Sequence, residues 1–301
     1  MASVWGTVLP VLESTATAVF GALMCGLVLW VTLPWSTSPC TLAMQKGPAP
    51  RALPAEVRIR SCNMFMTPWR NTYGVLELAM QRGVLPDNVV LLCQEMWQMK
   101  WDPRCIMRAA GRHASCAGPS HPTIPVGKQW DSGLCALSRD IHVQCVGFVP
   151  FDQGRGCDVL AFKGAAAFAI GPGIVAVTMH LQSGSCPRIR RSQMQQVSAF
   201  ALAMGAHVLI GDFNAEPKEL QALHDLLQRD FPLAVCLPAP GPTHDHGTTV
   251  DHAFVLTPDL LASWDLAIVD EAVTRGWTDH RALDLVLRLN QNRGYCTGGG
   301  A

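Results

Sequence analysis

Short apolar runs, each stopped by a polar residue, recur along most of this chain. Val57 to Asn63 alternates and reads as a strand, whereas Val89–Cys93 and Val208–Ile210 are apolar throughout and read as buried strands. Residues 131–139, 249–255 and 283–289 predict further strands. Ala165–Ile170 and Ile174–Met179 predict a hairpin around Gly171-Pro-Gly173. Helical signals are fewer. Asn71 can cap a helix that stops at Gly83, residues 192–204 are helix-compatible, and Pro217 opens a helix with Leu220, Leu223 and Leu227 on one face. Many strands and few helices predict an α/β fold: a four-layered sandwich of two packed, mainly antiparallel β-sheets flanked by helices.

The first 55 residues follow a different pattern. Between Glu13 and Lys46 there is no charged side chain. After a short segment, 1–15, residues 16–33 form an almost continuous apolar run, about the 18–20 residues that span a bilayer. Trp30 and Trp35 lie near its far end, where interfacial aromatics belong. We read the run as a single-pass transmembrane helix. A cleaved signal peptide with secretion is the alternative, but no Lys or Arg precedes the run and no small-x-small site follows it. Lys46 and Arg51 after the span favour a cytoplasmic catalytic domain. Residues 34–55, with six Pro or Gly, predict a linker. The catalytic domain is expected over 56–289, with a disordered Gly- and Asn-rich tail at 290–301.

Polar residues at the ends of the apolar runs carry the candidate chemistry. Asp212 and Asn214 follow Val208–Ile210 and stand two apart, so on an extended chain they project together. A carboxylate beside a carboxamide suits a phosphate with a cation next to it; the alternative is a turn in which both bond local backbone. Glu95 directly follows a buried run and must pair or bind a cation, because burying it alone is costly. Asn63, His180, Asp251, Asp279 and His280 also stand at strand ends or in adjacent loops. Glu95 with Asn63 makes an oxygen-ligand site for a hard cation such as Mg²⁺, with Mn²⁺ or another divalent ion as alternatives. Two histidines supply two proton-transfer roles, and Asp251 can orient one of them. Loop 154–164 brings Asp158 and Lys163, which can pair as an ordinary salt bridge or hold a cation near a phosphate.

Composition narrows the partners. Lys+Arg and Asp+Glu are both 23, so the net charge is zero, and 15% of residues are charged. Nucleic-acid binding is disfavoured, because it usually shows a basic excess or cluster. The twelve cysteines include no C-x-x-C pair, so a zinc ribbon or redox motif is not expected, and mostly free thiols are. Cys105 and Cys116 share a loop-like region, 96–126, that reads as a surface insertion and can pair them in an oxidising compartment. His113 and His121 in that insertion read as non-catalytic. His244-Asp-His246 lies among Pro and Gly and reads as a solvated turn. Trp97 and Trp101 are the candidates for an exposed aromatic that inserts into a membrane.

The ordered series Cys62-Asn63, Gln94-Glu95, Ser132-Gly133-Leu134, Thr178-Met-His180, Gly211-Asp-Phe-Asn214, Val250-Asp251 and Thr278-Asp-His280 resembles the endonuclease/exonuclease/phosphatase superfamily. Three stretches resemble its sphingomyelinases in particular: Gly156 to Gly164, His180-Leu-Gln with Arg190 and Gln193 downstream, and Thr278-Asp-His-Arg-Ala-Leu283. The resemblance implies a metal-dependent phosphodiesterase, most similar to enzymes that split sphingomyelin into ceramide and phosphocholine. Nucleases acting on DNA or RNA and inositol-phosphate phosphatases are the alternatives within the superfamily. It implies Glu95 as principal metal ligand with Asn63 beside it and Asp279 nearby. Asp212 would position the attacking water or a second cation. Asn214, Lys163 and His180 would meet the phosphate, with Asp158 holding Lys163 and His180 also able to protonate the leaving oxygen. His280 would be the general base, oriented by Asp251.

Overall fold

A computed structural model describes residues 56–65, 78–97, 115–117, 128, 130–171, 173–258, 261–269, 271–274 and 278–289. Segments 1–15, 16–33, 34–55 and 290–301 lie outside the described residues, as do the helix start at Asn71, Trp101, Cys105, His113, His121 and most of the 96–126 insertion. Among the described residues no helix is long and apolar enough to cross a membrane.

The strands are β1 (Glu56–Asn63), β2 (Val89–Gln94), β3 (Ser115–Ala117), β4 (Cys135–Ser138), β5 (Val143–Pro150) and β6 (Gly164–Ile170), then β7 (Ile174–Met179), β8 (Val208–Asp212), β9 (Val235–Pro238), β10 (Asp251–Val255), β11 (Leu261–Ile268) and β12 (Leu283–Leu289). They form two six-stranded sheets, ordered β11-β12-β1-β2-β4-β3 and β5-β6-β7-β8-β10-β9. Each sheet is antiparallel except for one central parallel pair, β1 with β2 and β7 with β8. The sheets are therefore mixed, and the two parallel pairs place Asn63, Gln94, Met179 and Asp212 at strand C-termini.

Alternation sorts the side chains into layers. Val57, Ile59, Val90, Leu92, Phe168, Ala176, Ile210, Ala253 and Leu285 fill the space between the sheets. The opposite face of β7, β8 and β10 packs Val177, Leu209 and Phe254 against Met194, Val197, Leu220 and Leu223. Those residues come from helices α1 (Pro187–Ala203) and α2 (Pro217–Leu227). The outer face of the first sheet packs Leu91 and Cys93 against Met80, Val84 and Leu85, next to a helical turn at 78–81. This layering matches the expected α/β sandwich.

Local chemistry explains the differences from the sequence expectation. The strand expected over 131–139 is confined to β4, because Asp131 Oδ1 accepts the Gly133 N–H at 2.9 Å and Gly133 takes φ +64°. That turn leaves no extended backbone before Cys135. Helix α1 begins at Pro187, upstream of residue 192, because Pro is favoured in the first helical turn and Arg190 is turned inward. Gly211 lies inside β8 rather than ending the run: a Cβ there would sit 2.5 Å from the Met179 carbonyl oxygen. Only glycine permits this approach of β7 and β8 just below His180.

Candidate active site

Strand register assembles the site. Asp212 pairs with Asp251 across β8 and β10, and an isolated parallel bridge places His180 beside Asp212. In the other sheet Asn63 pairs with Gln94, so Glu95 emerges next to Asn63. Phe65, Glu95 and Asn214 each take positive φ, at +44°, +53° and +49°. Each follows a strand end by one or two residues, at β1, β2 and β8. Left-handed backbone is costly for such residues and clusters at functional sites. Here it turns the chain sharply out of three strands around one point.

At that point Asn63 Nδ2 donates to Glu95 Oε1 at 3.1 Å and to Asp212 Oδ2 at 3.0 Å. Its Oδ1 accepts the Phe65 N–H at 3.0 Å. Asp212 Oδ1 accepts the Asn214 N–H at 2.8 Å. Asp212 thus makes the local turn that was the alternative reading and also faces the site. Its Oδ2 lies 3.5 Å from His180 Nε2 and 3.9 Å from His280 Nε2.

On one side of Asp212, His280 Nδ1 is 2.8 Å from Asp251 Oδ2, which leaves Nε2 as the atom turned to the site. Burial pulls its pKa down, but the Asp251, Asp212 and Asp279 carboxylates outweigh it and hold the imidazole protonated up to about 10. On the other side, His180 is driven down to about 3, first by burial and then by the Lys163 ammonium. It is a neutral ring. Lys163 Nζ lies 2.9 Å from Asp158 Oδ1, 3.0 Å from His180 Nε2 and 3.2 Å from the Leu181 carbonyl oxygen. An ammonium has three N–H groups, so all three are engaged. The Lys163 side chain is 4% exposed, so this is not the surface ion pair that was one reading of the sequence. His180 Nε2 accepts from Lys163 and has no proton of its own to give a leaving oxygen.

Loop 180–184 is braced from below. Arg190 bonds the carbonyls of Gln182 and Gly184 and pairs with Glu219. Gln193 Oε1 accepts the Gln182 N–H at 2.7 Å. Asn214 Nδ2 donates to the Leu181 carbonyl at 3.1 Å, and its second N–H is the one available to a phosphate oxygen.

Glu95 is the best-placed group for a cation. Burial raises its pKa, against the opposing effects of Lys163 and Asn63. The partly buried Glu95 carboxylate beside Asp212 gives two hard oxygen donors, bridged by Asn63 Nδ2 while Asn63 Oδ1 is taken by the Phe65 N–H. A divalent cation fits these residues. Asp279 Oδ2 lies 3.5 Å from His244 Nε2, while its Oδ1 is buried without a hydrogen-bond partner; the preceding Thr278 bonds the Asn63 carbonyl.

Two further expectations change. Trp97 is 8% exposed and packs against Trp130 and His180, at centroid distances of 5.9 and 6.2 Å. It is a wall of the site, not an exposed membrane anchor; Gly133 makes room for it, since a Cβ there would meet the indole at 2.8 Å. His244, read as part of a solvated turn, packs on His280 with ring centroids 4.8 Å apart. The repeated histidine was the signal for it, and the surrounding Pro and Gly concealed that signal.

No family model and no curated protein matches this sequence. Solved structures do. Sphingomyelinase C from Streptomyces griseocarneus superposes with a TM-score of 0.56 at 17% identity, covering 77% of this chain and 99% of that one. A mutant beta toxin from Staphylococcus aureus with bound magnesium ions gives 0.59 at 15% identity, covering 76% and 99%. An endonuclease/exonuclease/phosphatase family protein from Bacteroides thetaiotaomicron gives 0.54 at 14% identity, covering 78% and 98%. This chain has the fold of these structures, which is the fold that the resemblance of its motifs implied.

Proposed function

We propose that this protein is a divalent-cation-dependent phosphodiesterase of sphingomyelinase type, hydrolysing sphingomyelin to ceramide and phosphocholine by in-line attack of water. The observation that carries the reading is the opposition of two sides across Asp212: His280 on Asp251 at 2.8 Å, and Lys163 on His180 at 3.0 Å. One side suits a base and the other a phosphate.

In this mechanism Asn214 Nδ2 holds a phosphate oxygen, and the Lys163 ammonium, fixed by Asp158, the neutral His180 ring and the Leu181 carbonyl, adds positive potential beside it. Asp212 and His280 Nε2 hold the water on the other side of phosphorus. With its Nδ1 proton directed to Asp251, His280 takes the water's proton at Nε2 as the new P–O bond forms and the bond to the ceramide oxygen breaks; that oxygen takes a proton from solvent water, and the hydroxide left is neutralised by the proton His280 releases. Glu95, Asn63 and Asp212 would hold the cation, Mg²⁺ by preference for oxygen donors. When bound, it would supply positive charge that stabilises the phosphoryl oxygens and offsets the carboxylates that keep His280 protonated. The lipid substrate is supported by the loop from Gly156 to Gly164, by the stretch after His180, and by the zero net charge. The apolar run 16–33 would tether the enzyme beside its substrate and raise its effective concentration there.

The test is an assay of the full chain on sphingomyelin vesicles and on plasmid DNA, with Mg²⁺ or EDTA, beside His280→Ala. Phosphocholine release that needs the cation and falls about 10²–10⁴-fold in His280→Ala is expected. Nicked plasmid with intact lipid would replace the lipid reading by a nuclease.

A further inference from the structure

His244 is a third imidazole at the site, unused by the proposed reaction. Its ring meets that of His280 edge to face, at 80°. Its Nδ1 accepts the His246 backbone N–H at 3.1 Å. That bond sets the tautomer: with Nδ1 accepting, the ring proton sits on Nε2, 3.5 Å from Asp279 Oδ2. The tautomer also decides between two roles. His244, Asp279 and His280 bring ligand atoms within 4.8 Å of one another, yet a metal needs a bare Nε2. A protonated Nε2 instead faces the Asp279 carboxylate.

The backbone around it forms a bracket. Thr243 is fully buried, and its Oγ1 accepts the N–H groups of Val250 and Asp251 at 3.0 and 3.1 Å. The Asp245 N–H donates to the Asp279 carbonyl at 2.9 Å, and the Arg281 N–H to the Thr243 carbonyl at 2.7 Å. From the other sheet, Thr278 Oγ1 donates to the Asn63 carbonyl at 2.7 Å and accepts the His280 N–H at 3.1 Å. Segment 278–281 is thereby pinned to β1 through Thr278 and to β10 through Thr243. The backbone of His280 is fixed from both sheets; among the described residues its ring has Asp251 at Nδ1, Asp212 3.9 Å from Nε2 and the ring of His244 edge to face against it.

We infer that His244 is a positioning residue: its ring, packed edge to face against His280, sets the plane of His280 so that Nδ1 stays on Asp251 and Nε2 faces Asp212. The kinetic consequence rests on the hydrolysis proposed above; the positioning itself does not.

The experiment compares wild type, His244→Ala, His244→Phe and His246→Ala as full-length protein, with two readouts. The first is kcat and KM on sphingomyelin vesicles. His244→Ala lowers kcat about tenfold or more, since a small misplacement of a reacting group costs on this scale, and leaves KM within about twofold. His244→Phe, which keeps the ring, recovers most of kcat, and His246→Ala matches wild type. The second is the hydrogen-bonded Nδ1 proton of His280 in proton NMR of metal-free protein, assigned by its loss in His280→Gln. It is present in wild type, His244→Phe and His246→Ala and exchange-broadened in His244→Ala. Unchanged kcat and an unchanged proton signal in His244→Ala overturn the inference. If wild type cleaves no phosphodiester, the proposed function fails while the NMR signal still decides the positioning role. If His244→Ala does not fold, His244→Gln, which keeps a donor and loses the ring, replaces it under the same criteria.

Discussion

The His180 and His280 sides of the site share a carboxylate oxygen and differ in everything else that matters to a proton. Their Nε2 atoms lie 3.5 and 3.9 Å from Asp212 Oδ2, and both rings are buried, at 3% and 6% exposure. Burial acts in the same direction on both, disfavouring the charged ring. His280 nevertheless holds its proton to about 10, and His180 gives it up by about 3. The second neighbour decides. A carboxylate, Asp251, backs one ring, and an ammonium, Lys163, caps the other. One residue type thereby serves as a protonated ring backed by a carboxylate and as a neutral ring capped by an ammonium.

Removing the partner on the base side has the largest expected effect. Asp251→Asn takes away the charge and leaves Nδ1 facing a neutral amide that can turn either its oxygen or its NH₂ to it, so steady-state kcat falls about 10²–10⁴-fold with the fold intact by circular dichroism. A loss of only a few-fold would mean His280 needs no orienter. A buried pair away from the site sharpens the contrast. Arg60 forms a bidentate pair with Asp284, at 2.6 and 2.7 Å, and bonds the Val84 carbonyl at 2.9 Å. Asp284→Ala leaves a buried guanidinium unpaired and is expected to cost about 3–5 kcal/mol in urea unfolding, with kcat of the folded fraction unchanged. A change in kcat would show that the two regions are coupled.

On the wall side, Lys163→Met frees His180 Nε2 and strands Asp158. On the proposed reaction the phosphate loses a nearby positive charge, and kcat/KM falls about 10–100-fold, a size fitting one charged group beside it. An unchanged value would place the phosphate elsewhere. The smallest effect is on stability. A raised histidine pKa contributes stability that is complete below the ordinary 6.5 and is lost as pH climbs toward about 10. A lowered one destabilises the folded state as pH falls from 6.5 toward about 3. Metal-free protein should therefore lose about 1 kcal/mol per pH unit on either flank. Thermal unfolding in EDTA checks this, and Asp251→Asn should flatten only the alkaline flank.

The sequence carried the strand ends well, because a polar residue after a buried run must find a partner. Asp251 beside one of two histidines was legible on that ground, the choice of His280 coming from the resemblance; Asp158 with Lys163 was legible as a pair within one loop, and so was the layered sheet architecture. Less legible was whatever depends on closure between distant segments. Arg60 alternates with apolar residues and looks exposed, yet strand pairing places it directly against Asp284. Trp97 follows Glu95 into a loop, and only the turn at Gly133 buries it. Asp279 was grouped with Glu95 by the resemblance, whereas loop 241–249, folded back by Thr243, brings it to His244. The saturation of Lys163 follows from two loops, 154–164 and 180–184, meeting edge to edge, which no spacing announces.

The division between the two sides is tested most directly by following both ring titrations in metal-free protein with histidine-labelled NMR, assigned by His180→Gln and His280→Gln. The account predicts that His280 stays protonated until about pH 10 and that His180 stays neutral down to about pH 3. Two rings titrating together near 6.5, or in the reverse order, would contradict it.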